Sequence, residues 1–148
     1  MKYEKSCGAI VLRRDKTDPR RRFLLVIRQY KNGPVSFPKG HVEPGESERE
    51  TAAREVLEET AARINITGDF RETISYSPAK GVNKDVVYFL AETSDELVSP
   101  HEAEIAEAFW IDVLEAELIL GHDNDRQVFR LAMEYIEKNK DVILSPAL

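Results

Sequence analysis

Residues Gly40 to Ala62 read GHVEPGESERETAAREVLEETAA. Pro44-Gly45 is a turn signal, and Ser47 and Glu50 stand in the S-x-x-E spacing of a capping box, so a helix begins here. Helix-forming residues run on to Thr60. Ala53, Val56, Leu57 and Thr60 fall at i, i+3, i+4 and i+7, which predicts one buried face. With Glu55 at zero and about 100° per residue, Glu58 lies at about −60° and Glu59 at about +40°. Three carboxylates therefore share one arc, opposite Val56 and Leu57. Like charges at these spacings repel, and acids near a helix C-terminus oppose its dipole. A hard divalent cation offsets both costs, and an all-oxygen donor set suits Mg²⁺ or Mn²⁺. The alternative from the same spacing is a solvated acidic face. Arg54 and Glu46 stand where they can pair beside the cluster.

Outward from the helix the pattern changes to strands. Cys7 to Leu12 and Phe23 to Ile27 are apolar, strand-length runs. The charged stretch Arg13 to Arg22 joins them as a hairpin-like loop. Gly33-Pro34 and Pro38-Lys39-Gly40 are turn signals around Val35-Ser36-Phe37. Beyond the helix, Ile64, Ile66, Phe70, Ile74 and Tyr76 give one strand or two short ones, and Asn83 to Ala91 a central strand. Phe109-Trp110-Ile111 is a short strand, with Asp112 capping a helical piece from Val113 to Leu120. A last helix starts at Asp123 or Asn124, with Val128, Leu131, Ala132, Tyr135 and Ile136 on one side. Strands on both sides of one helix, and a second helix at the end, predict an α/β protein with a mixed sheet covered by helices.

Composition bounds the rest. At 148 residues, one domain spanning 1–148 is expected, large enough for a core without staples. One cysteine, Cys7, excludes an internal disulfide framework and a multi-cysteine zinc site, and reads as a small buried hydrophobe. The 21 Lys and Arg against 27 Asp and Glu give a net charge of −6, which speaks against duplex nucleic acid as a partner. No apolar run reaches the roughly 18 residues of a membrane span, so no membrane partner is expected. Met1 to Lys5 leads into no signal-peptide core, so a cytoplasmic location is expected. The oligomeric state stays open.

The quoted stretch resembles the signature of the Nudix hydrolases, with the box at about residues 40–62. Gly40, Glu46, Arg54, Glu55, Val56, Glu58 and Glu59 match it at the required spacing. Two positions depart: Ala61 replaces the signature glycine, and Ala62 is a small stand-in for an aliphatic residue. That glycine serves as the left-handed residue closing the helix. Ala61 either adopts that conformation at a cost of about 1 kcal/mol or lets the helix run on. The resemblance implies an α/β/α sandwich with a mixed sheet between helices. It implies hydrolysis of a nucleoside diphosphate linked to another group, using a bound divalent ion. In that scheme Glu55, Glu58 and Glu59 ligate the metal, helped by the Gly40 carbonyl. Arg54 orients a metal-binding glutamate, and Glu46 holds Arg54.

More of the chain resembles one branch, the asymmetrical diadenosine tetraphosphate hydrolases. The similarity lies in Phe37 to Glu46, in Lys84 followed by Val86 to Ala91, in His101 to Ile111 and in Cys7 to Arg13. It implies a small nucleotide substrate, cleaved to ATP and AMP. Lys39 is then a phosphate contact, and Lys84 and Tyr76 face the polyphosphate and base. Glu104 is a further metal ligand or the general base, with Glu102 and Glu107 as rivals. Lys39 and Lys84 read equally as solvated charges, and Tyr76 as an ordinary strand residue. Other Nudix substrates stay open: a diphosphoinositol polyphosphate, a nucleoside triphosphate, a nucleotide sugar or an RNA 5′ end. So does a module that senses a nucleotide without cleaving it.

Overall fold

The computed structural model of the chain describes residues 1–139. Its strands are β1 (Lys2–Arg14), β2 (Arg22–Arg28), β3 (Lys39–His41), β4 (Asn65–Ala79), β5 (Val82–Glu92) and β6 (Glu107–Asp112). The helices are α1 (Glu48–Thr60), the short α2 (Ala116–Ile119) and α3 (Asp123–Lys138). The sheet runs β4-β5-β1-β2-β6, with β3 paired to β1 off this path. β1 pairs parallel with β5, from Lys2 opposite Val82 to Leu12 opposite Glu92. The β1–β2, β2–β6 and β4–β5 pairs are antiparallel, so the sheet is mixed, as expected.

The continuous apolar run in β1 follows from its central place, because both faces are covered. Ile10, Leu12, Leu24, Val26, Val86, Tyr88 and Leu90 pack with Val128, Phe129, Ala132 and Ile136 of α3. On the opposite face, Ala9, Val11, Leu25 and Ala91 pack with Val56 of α1, and Cys7, Val87 and Phe89 with Ala52. Helices thus sandwich the sheet.

Several local expectations change. Pro38-Lys39-Gly40 is not a plain turn, since Lys39 and Gly40 pair with Gly8 and Cys7. A side chain at Gly8 would collide with the Pro38 carbonyl and Lys39, so glycine there permits the approach. In α1, Leu57 is 44% exposed and Glu59 only 5%. The buried face is turned toward Thr51, Ala52, Val56, Glu59 and Thr60 because β3, not an apolar layer, receives Glu59. In α3, Leu131 is exposed and Phe129 is buried in its place. His122 caps α3 without a side-chain hydrogen bond. Trp110 is half-buried, with Nε1 donating to the Glu96 carbonyl and Arg13 over its ring. The left-handed alternative holds at Ala61, where φ is 66° and N–H donates to the Leu57 carbonyl at 2.9 Å.

Candidate active site

The capping box at Ser47 and Glu50 fixes where α1 starts, and so how Arg54, Glu55, Glu58 and Glu59 are presented. Arg54 is the hub. Its Nε and Nη2 donate to the Glu46 carboxylate at 2.5 and 3.0 Å. Nη1 donates to Glu55 at 2.8 Å and Glu58 at 3.1 Å, and Nη2 also to the His41 carbonyl at 3.0 Å. Glu46 is held in turn by the Thr51 hydroxyl at 2.8 Å and the Glu43 amide at 3.1 Å. These donors, Arg54 first among them, hold the Glu46 carboxyl down at about 2. The same acids hold the Arg54 guanidinium firmly charged.

Glu59 takes another direction. Its carboxylate accepts from the Lys39 amide at 2.9 Å, which ties α1 to β3. Burial first, and then the charges of Glu55 and Glu104, push its carboxyl up to about 8. Burial likewise raises Glu55, against the pull of Arg54, and the charges of Glu58 and Glu104 add to it. A side chain at Gly40 would overlap the Glu55 carboxylate, so the bare backbone leaves Glu55 its place.

Glu104 lies in the turn before β6, where its amide donates to the His101 carbonyl at 2.9 Å. Its charge is felt at both Glu55 and Glu59. Glu107 instead reaches Arg28. Among the described residues no three His, Cys, Asp or Glu side chains form a ready-made metal cage. The expected common arc is divided: Arg54 draws Glu55 and Glu58, and β3 receives Glu59. The donor set still fits a hard divalent ion. It is all oxygen, two of its carboxylates are raised by burial and mutual repulsion, and only one arginine is interposed.

Beside this cluster opens a cleft of about 280 Å³. Lys39, Ile74, Tyr76, Tyr88 and Asp125 are among the residues lining it. Tyr76, 38% exposed, pairs across the β4–β5 ladder with Lys84, which is partly buried. Burial and the nearby Lys39 charge pull the Lys84 ammonium down, so two cations share this side of the molecule. Tyr88 and Asp125 escaped the sequence analysis. Tyr88 was findable, since it follows Lys84 and Val86 at period two on one strand face. Asp125 was not, because an acid in a first helical turn looks like dipole complement.

The model of the NUDIX domain matches residues 2–132. The chain is 38% identical over 130 residues to a mouse protein named bis(5'-nucleosyl)-tetraphosphatase [asymmetrical], covering 76% of this chain and 81% of that one. It is 33% identical over 106 residues to a Mycobacterium tuberculosis protein provisionally named mutator protein MutT4, covering 70% of this chain but spanning only 42% of that protein. Among solved structures, a binary complex of a Caenorhabditis elegans Ap4A hydrolase superposes with a TM-score of 0.78 at 28% identity, covering 91% of this chain and 98% of the other. The family model thus spans the box helix and the mixed sheet that presents it, and the chain belongs to the Nudix hydrolases.

Proposed function

We propose that this enzyme hydrolyses a dinucleoside tetraphosphate off-centre, turning diadenosine tetraphosphate and water into ATP and AMP. One observation carries the proposal. Lys39 belongs to both halves of the site: its amide holds Glu59 at 2.9 Å, and its residue lines the cleft with Tyr76. A phosphate chain lying along Lys39 and Lys84 would run from the acidic cluster to a base on Tyr76. The mouse protein's name supports this substrate. Nudix hydrolases use divalent ions, and Mg²⁺ or Mn²⁺ suits these donors, with Glu55, Glu58, Glu59 and the Gly40 carbonyl as ligands. Such an ion neutralises phosphate oxygens and acidifies a bound water.

The protein's own residues do the rest. Arg54, held by Glu46, orients Glu55 and Glu58. Glu104, exposed and with its charge felt at Glu55 and Glu59, accepts the proton as the water oxygen bonds to phosphorus. The phosphoanhydride P–O bond on the far side breaks, and its electron pair leaves with the departing nucleotide. Lys39, Lys84 and Tyr76 set which bond is presented. The test is chromatography of products formed in ¹⁸O-labelled water. ATP and AMP are expected, with label in one product only. Two ADP, or turnover of a diphosphoinositol polyphosphate or nucleotide sugar in preference, would overturn the assignment.

A further inference from the structure

Two buried polar groups in the cleft play no part in that chemistry. The Tyr88 side chain is fully enclosed (0% exposed), stands edge-on to Phe37 at 5.1 Å between ring centroids, and its hydroxyl has no hydrogen-bond partner among the described residues. A buried, unpaired hydroxyl is costly, and Phe at this strand position would pack as well without the cost. Asp125 is 3% exposed at the start of α3. Its neighbour Arg126 turns its guanidinium to Asp123 and the Leu120 carbonyl. Complementing the dipole of α3 does not require this burial, since Asp123 in the same turn does so while exposed. Both groups line the cleft together with Tyr76, and the Asp125 charge acts on both tyrosines. The cleft thus has an aromatic flank and, beside it, one acceptor and one hydroxyl with bonds still to make.

Resting on the proposed nucleotide substrate, we infer that Asp125 and Tyr88 read the hydrogen-bonding edge of the base that Tyr76 stacks, and select an amino-bearing base. Asp125 accepts from the exocyclic amino group, and the Tyr88 hydroxyl donates to a ring nitrogen beside it. Adenine offers this pattern. Hypoxanthine replaces the amino group with a carbonyl, which would face the Asp125 carboxylate with like polarity and leave it without a donor. A site built to bond a particular group rejects the analogue lacking it more strongly than an apolar pocket can.

The test compares diadenosine with diinosine tetraphosphate, with ATP and ITP binding measured in parallel by calorimetry in the presence of Mg²⁺. The unaltered enzyme should favour adenosine by about tenfold or more in kcat/KM. Asp125→Asn should bring the two substrates to within about twofold, through KM rather than kcat. Tyr88→Phe should raise KM for the adenosine substrate with an equal or higher Tm, because its hydroxyl supports nothing in the free protein. This second variant keeps the test open should Asp125→Asn fail to fold. Equal use of both substrates by the unaltered enzyme, or full selectivity in Asp125→Asn, would overturn the inference while leaving the proposed function standing. If neither tetraphosphate is cleaved, the proposed function falls, and the ATP-to-ITP affinity ratio decides the inference alone: tenfold supports it, parity refutes it.

Discussion

Glu59 shows how a single residue is placed against its own stability. It is one of few buried acids, and among the described residues its one hydrogen-bond donor is the Lys39 amide. Its carboxyl is raised to about 8, far above its ordinary value, so the folded protein holds a proton that the unfolded chain releases. Stability of the metal-free protein should therefore fall as pH rises from about 4.5 toward 8. Thermal unfolding in chelator across that range checks this, and Glu59→Gln should flatten the slope. The same variant should lose at least ~10²-fold in kcat without losing Tm in chelator. Near-normal turnover would remove Glu59 from the mechanism. Ala61 makes the opposite case, a cost unrelated to chemistry. It holds φ at 66°, so Ala61→Gly should stabilise by roughly 1 kcal/mol with unchanged kcat, and a lower Tm would disprove this.

At the scale of the element, the box helix is a platform whose charges are distributed by one arginine. The guanidinium fork meets Glu46 through two nitrogens while also reaching Glu55, Glu58 and the His41 carbonyl. A lysine ammonium is a point charge and cannot hold four partners in this geometry. Arg54→Lys should lower kcat by about 10²-fold while shifting KM little, because it disturbs orientation rather than substrate contact. Steady-state kinetics checks the split, and a rise in KM alone would refute it. The start of this helix was plain in the sequence, because a capping box is a local pattern. The face it buries was not. Periodicity places Leu57 inside and Glu59 outside, and only the arrival of β3 at Glu59 reverses them. That arrival depends on Gly8, distant in sequence and apolar in context. The box residues were likewise legible as a spaced motif, whereas Asp125 comes into the cleft from α3 with no local signal.

At the scale of the whole molecule, charge is separated along one side. The chain is acidic, at −6 overall, yet its cleft holds Lys39 with Lys84 close by. Burial and the charge of Lys39 pull Lys84 down, which is a cost in the free protein. A polyphosphate bound there, as proposed, would relieve that repulsion. In the proposed pose this attraction would act in the ground state and the transition state alike, since Lys84 is on β5 and not on α1 with the acids. Uniform binding of that kind lowers KM without raising kcat. Lys84→Ala should therefore raise KM for diadenosine tetraphosphate by about tenfold and change kcat by less than about threefold. It should also weaken the dependence of KM on ionic strength, since one phosphate contact is gone. Saturation kinetics at two salt concentrations measures both. A fall in kcat larger than the rise in KM would place Lys84 at the reacting phosphorus instead, and the register of the phosphate chain along the cleft would have to be redrawn.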